Sequence, residues 1–401
     1  MTSNEAPPLF VSIGAGTNQV PIIKEARKLG FQLIGVDRDP FAPGLKLCDM
    51  KIHESVLNAK EIYSKMMEFL ILGDVKGVLS RSYGKSIKTV AYLAKILQQP
   101  YLPPEMVNTF INKSDMKRVF VKHGIITPAW RLVTAGNANN VATKMKFPLV
   151  AKPLTGHGKH HVSLVYTPEE LRHLVTSAAR SNTRFLLEEY IAGDEIIVIG
   201  IVHKGIFYTV DISDKIRSPR PYFTDRIHIL PSVYSHKIKE LTDIGQTITD
   251  AFSIESSPLV IELIIDHNDT PFVIEAVPEF GGEFLADIAI PDRTGYNIFE
   301  QVIRSITGMK FTPPPAPRVS PVVTVKYLFG GGGSLASFNE LKATGRKGLL
   351  YTRIFKQKGD KLSEPKTNHD RLGVIITRGS TVDETIAKSN RALEKMDIVL
   401  E

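Results

Sequence analysis

Lys152 closes the apolar run Val150-Ala151-Lys152-Pro153, and Thr155-Gly156-His157-Gly158-Lys159 follows almost at once. A lysine at the end of a buried strand is costly unless an anion meets it. The small residues behind it allow backbone N–H groups to approach and wrap a phosphate. The other reading is a basic hairpin tip with its charges in water. A second pair of features is acidic: Glu262 interrupts Val260-Ile261-Glu262-Leu263-Ile264, and Glu275 interrupts Phe272-Val273-Ile274-Glu275-Ala276. Carboxylates on paired strands repel unless a cation joins them. Magnesium is held by one or two carboxylates together with phosphate oxygens, so ATP with Mg2+, or Mn2+ in its place, would unite the basic and acidic features. The competing reading leaves each glutamate on the wet face of its strand.

Two further motifs point elsewhere. Gly14-x-Gly16 follows an apolar run and Asp37 lies where an acidic ribose ligand would, but the third fingerprint position is Gln19, so a dinucleotide site and a plain tight turn both remain open. Gly84-Lys85-Ser86 fails as a P-loop because Leu79 stands where the first glycine is required.

The elements that must position these residues read as follows. Strand, glycine turn, helix and strand over residues 9–36 form a βαβ unit, joined by a strand over 75–79 and a helix over 86–98. A helix over 114–123 ends at Gly124 and Thr127-Pro128. Strands over 147–153 and 162–165 pair as a hairpin, and Thr167-Pro168-Glu169-Glu170 starts a helix with an N-cap, a proline at its first position and acidic first-turn residues. Strands over 185–190, 195–203 and 205–213 precede a polar loop over 215–226 and a helix over 236–252. A second hairpin, 259–266 with 271–277, carries the two glutamates. Pro313-Pro314-Pro315-Ala316-Pro317 marks a boundary, beyond which lie strands over 322–329 and 372–377 and a helix over 382–395.

The 401 residues, 43% hydrophobic and 23% charged, fit a folded protein of several packed units and exclude disorder or a coiled coil. The net charge of +8 suits an anionic ligand, but the basic residues are dispersed, so nucleic acid is not implied. A single cysteine, Cys48, excludes an internal disulfide. Residues 258–265, among the longest apolar stretches, fall short of the roughly 20 residues of a membrane span, and the first eight residues lack signal-peptide character. A cytoplasmic location is expected.

In order and spacing, these motifs resemble the ATP-grasp superfamily of carboxylate-amine ligases over almost the whole chain. Ile13-Gly14-Ala15-Gly16-x-x-Gln19 through Val36-Asp37-x-Asp39-Pro40-x-Ala42-Pro43 is similar to its N-terminal domain. Asp370-Arg371-Leu372-Gly373-Val374 and the helix after it resemble the C-terminal domain of the purine-biosynthetic and biotin-carboxylase-like subgroup. The resemblance implies an α/β protein in three parts: an N-terminal doubly wound parallel-sheet domain (1–112), an ATP-grasp domain (113–315) with a mobile lid over about 132–203, and a C-terminal α/β domain (316–401). It implies that Lys113 and Lys152 hold the ATP phosphates under the loop containing Gly156, His157, Gly158 and His160. Leu187-Glu188-Glu189-Tyr190-Ile191 would line adenine, with Glu188 near the amino group and Ile191 behind the ring. Glu195 would take the ribose hydroxyls, and Glu262 and Glu275 the metal.

The chain departs from the family where Glu-x-Asn-x-Arg is common, reading Glu275-Ala276-Val277-Pro278-Glu279. Arg217, Arg220, Arg226 and Arg293 are candidates to supply the missing charge, with Arg226 and Arg293 taken as catalytic beside Lys152. Glu279 could recognise a cationic substrate. The implied activity is ATP-dependent carbon–nitrogen ligation of a small-molecule carboxylate and amine through an acyl phosphate, by a homodimer. A nucleotide-binding regulator with little turnover and a dinucleotide-dependent oxidoreductase are the alternatives.

Overall fold

A computed structural model describes residues 7–401 other than 70–71, 82–83, 135, 157, 159–160, 180–183, 220–221, 282–283 and 344–346, and other than the side chains of 139 and 177–179. The chain opens as a four-stranded parallel sheet in the order Met50–Ile52, Gln32–Val36, Leu9–Ile13, Val75–Leu79. Leu9–Ile13 is buried throughout, as expected for a strand covered on both faces. The turn after it needs Gly14 at φ +97°. Ala15 and Asp39 donate their backbone N–H groups to the two Asp37 carboxylate oxygens at 2.9 and 3.0 Å. Asp37 is thus engaged by its own loops, and the glycine pair behaves as a tight turn.

A second sheet, antiparallel, runs in the order Trp130–Val133, Phe185–Glu189, Leu149–Pro153, Ser163–Val165. It contains the expected first hairpin, with Leu149 opposite Val165. The third sheet has eight antiparallel strands: Pro271–Val277, Ser256–Asp266, Gly193–His203, Ile206–Arg217, Asp225–Leu230, Val322–Phe329, Arg371–Gly379 and Leu349–Ile354. Gly193–His203, read from sequence as the last strand of the lid, belongs to this large sheet. Its segment Ile196–Val202 is buried on both faces, which a small mobile sheet with one wet face does not provide.

Three packing devices fix the layers around the cleft. Helix Ile238–Ala251 lies on strand Ile206–Arg217, and the Phe207 ring fills the space where a Cβ at Gly200 or Gly245 would stand, 2.3 and 2.2 Å away. Helix Ile298–Thr307 joins the parallel sheet to the large one by touching both Val75–Leu79 and Ser256–Asp266. The third device is polar: buried Arg293 grips Asp211 with Nε and Nη2 at 2.6 and 2.7 Å and donates Nη1 to the Arg318 carbonyl at 2.5 Å, tying the sheet to the proline-rich connection. No helix among the described residues is long and apolar enough to cross a membrane.

Candidate functional site

A cavity of about 520 Å³ opens between the small antiparallel sheet and one face of the large sheet. Strand alternation builds its floor. Val260, Glu262 and Ile264 project together from one strand, Glu195 and Ile197 from the next, and Lys215 and Arg217 from the third. Glu275 stands opposite Glu262 in register. Lys152, at the end of Leu149–Pro153, enters from the other sheet with Glu188.

The charges are interlaced. Lys113 begins helix Lys113–Lys122, whose N-cap Asn112 accepts from the Ser114 amide at 3.0 Å. Its Nζ reaches Glu275 at 3.0 Å and the Gly156 carbonyl at 3.1 Å. Lys215 Nζ lies 3.1 Å from Glu262 and 3.3 Å from Asp225. Arg217 Nε lies 3.1 Å from Glu195. Asn368 donates to Asp225 at 2.6 Å, and the Arg371 guanidinium, 3.7 Å from Asp225, lies over the Tyr327 ring. On the side of the parallel sheet, Arg81 pairs with Asp287 at 2.5 Å.

The expected residues Lys113, Lys152, Gly156, Gly158, Glu188, Glu189, Ile191, Glu195, Glu262 and Glu275 all line this one cavity. His157 and His160 lie outside the described residues, as does Arg220. Arg226 and Arg293, expected to supply a catalytic charge, are not among its lining. Arg226 follows Asp225 on one strand, so when Asp225 faces the cleft Arg226 faces away; its guanidinium lies over the Phe329 ring at 4.1 Å. Arg293 is committed to Asp211. The cations brought to the cavity instead are Arg81, Lys215, Arg217 and Arg371. Of these only Arg217 was a sequence candidate for the missing charge. The charged-apolar alternation Lys215-Ile216-Arg217 was the signal for a strand where a polar loop was expected.

Glu188 also differs from expectation. Its carboxylate lies between Lys152 Nζ at 2.6 Å and Lys117 Nζ at 3.0 Å, and the lysine charges hold its pKa below the ordinary range against the effect of burial. Burial pulls the Lys117 pKa from 10.5 down to about 8, partly countered by Glu188. Between those values the unfolded chain binds more protons at this lysine than the folded one, so its contribution to stability rises with pH. The difference in unfolding free energy between the native chain and Lys117→Met should therefore move in favour of the native chain from pH 8 to pH 10, as read by urea titration.

The donors fit a hard divalent cation. Glu262 and Glu275 offer carboxylate oxygens from adjacent strands, each already beside a lysine ammonium. Among the described residues no group of three or more His, Cys, Asp or Glu is placed to hold a metal ion.

Residues 145–287, which carry most of these elements, match the family model of the ATP-grasp domain. The chain carries an ATP-grasp domain. Residues 326–401 match the model of L-amino acid ligase C-terminal domain 2. Both matches bear out the resemblance read from the sequence. D-alanine–D-alanine ligase of Maridesulfovibrio salexigens is 27% identical over 209 residues, covering 46% of this chain and 68% of that protein. The L-amino acid ligase structure from Bacillus licheniformis superposes with a TM-score of 0.85 at 19% identity, over 99% of this chain and 100% of that one. N5-carboxyaminoimidazole ribonucleotide synthetase from Thermotoga maritima gives 0.73 at 17% identity, over 98% and 100%. At these identities the structural likeness is one of fold, and it extends over nearly the whole chain.

Proposed function

We propose that this protein is an ATP- and Mg2+-dependent carbon–nitrogen ligase that joins the carboxylate of one amino acid to the amine of another. The observation that carries the reading is the register pair Glu262 and Glu275, facing one cavity with Lys113 and Lys152. The amino-acid substrates are supported by the C-terminal match to L-amino acid ligases and by the D-alanine–D-alanine ligase relatives.

Lys113 and Lys152 would turn from Glu275 and Glu188 to the triphosphate, with Glu262 and Glu275 holding the metal ion. The ion, when bound, would neutralise phosphate charge that the lysines alone cannot. A substrate carboxylate oxygen attacks the γ-phosphorus, the bond to the β-phosphate oxygen breaks, and ADP leaves. The amine then attacks the acyl carbon of the resulting acyl phosphate, loses a proton and expels phosphate. The small antiparallel sheet over the cavity would act as the lid that keeps water from the acyl phosphate.

The first test is ADP release with Mg-ATP and pairs of L- or D-amino acids. Release is expected to require both an amino-acid carboxylate and an amine, and to fall at least about 100-fold in Lys152→Ala. ATP binding without release on any pair would favour the regulator instead. Val277 and Glu279, which depart from the family pattern, both line the cavity. In that outcome Val277→Asn with Glu279→Arg is expected to raise release.

A further inference from the structure

Lys117 does not line the cavity, yet it is only 1% exposed and touches two strands that supply the site, Phe185–Glu189 and Pro271–Val277. It follows Lys113 by four residues, on the same face of helix Lys113–Lys122. Its Nζ lies 3.0 Å from one Glu188 oxygen, while Lys152 holds the other at 2.6 Å. It also donates to Thr127 Oγ1 and, at 3.2 Å, to the carbonyl of Val273, two residues before Glu275; Thr127 donates to the same carbonyl at 2.7 Å. Glu275 from Pro271–Val277 and Lys152 from Leu149–Pro153 are the further charges that act on it.

A lone buried ion pair between Glu188 and Lys152 would bind Lys152 tightly, because attraction is strong in a medium of low polarity. A second lysine changes that balance. With Lys117 on the other oxygen, Glu188 is neutralised from behind, and moving Lys152 toward an incoming phosphate leaves no bare buried carboxylate.

We propose that Lys117 is a positioning residue for nucleotide binding: it shares Glu188 so that Lys152 can be released to phosphate, and it clamps the helix bearing Lys113 to the strand bearing Glu275. The role rests on the proposed ATP site. It predicts an effect on nucleotide affinity transmitted through Glu188 and not through contact with ATP.

The test is calorimetric titration with Mg-ATP of the native chain, Lys117→Met, Glu188→Gln and the double variant, each first checked by thermal melting. Native binding with an affinity loss of about tenfold or more in Lys117→Met is expected. Because Glu188 then holds Lys152 alone, adding Glu188→Gln to Lys117→Met should recover much of that loss. A purely structural lysine gives no recovery, and that result, or unchanged affinity in Lys117→Met, overturns the proposal. Should Lys117→Met fail to fold, Thr127→Val removes one Lys117 partner and carries the same test: weaker binding supports the role, and unchanged affinity overturns it. A native chain that does not bind Mg-ATP defeats the ATP site itself, which distinguishes that failure from failure of the Lys117 role.

Discussion

Glu275→Gln should lower the rate of ATP-driven ligation by about 10²- to 10³-fold or more, the scale seen when one preorganised electrostatic group is removed from a reacting centre. The substitution keeps the shape of the side chain and an oxygen for Lys113, which lies 3.0 Å from it in the native chain. What it removes is charge. Glu275 and Glu262 face each other in register, so one neutral amide leaves the proposed cation a single anionic protein ligand in place of two. Folding should be almost unaffected, since Glu275 is not deeply buried and retains a hydrogen-bonding partner. Initial rates of ADP release at saturating amino acids, set beside melting curves, separate the two effects. A turnover number within a factor of a few of the native value would remove Glu275 from the metal role.

Arg293→Ala should do the reverse, lowering stability by about 3–5 kcal/mol, as expected when one member of a buried ion pair is deleted. Asp211 is almost completely buried, and burial by itself pushes its carboxyl up; the two-pronged contact with Arg293 opposes that shift. Without the arginine, the Asp211 pKa should rise further above its unfolded value. The folded variant then binds more protons than the unfolded chain, so its stability falls as pH rises and its deficit is smallest in acid. Urea unfolding of native and variant chains at pH 5 and pH 8 measures both the size and the direction. Where the variant remains folded, its turnover should stay near native, because Arg293 does not line the cavity. A large loss of rate with unchanged stability would return Arg293 to the chemistry.

Much of this site was legible in the residues. Lys152 before a glycine loop and Glu262 and Glu275 inside apolar strands interrupt the apolar pattern, and the structure places all three in one cavity, each beside a side chain of opposite charge. Asp225 and Lys215 were not legible as site residues, because charged residues in a short stretch look alike whether they face water or a polar cleft. The alternation at Lys215-Ile216-Arg217 signals a strand, but pairing of Asp225–Leu230 between Ile206–Arg217 and Val322–Phe329 is what points Asp225 and Lys215 inward. The role of Arg293 depended on Asp211, 82 residues earlier in the chain, and no local pattern signals so distant a partner.

The sequence by itself therefore determined the local units: the opening βαβ turn, the two hairpins, the terminal helix and the charged side chains that interrupt apolar strands. Period and turn chemistry act over a few residues, so these features can be read from neighbours alone. Tertiary structure decided which strands share a sheet. It joined Val322–Phe329, Arg371–Gly379 and Leu349–Ile354 to the strands of the ATP-grasp domain in one eight-stranded sheet. It also decided which cations reach the cleft, because a side chain's face is set by strand register and its charge by the partners that register brings near.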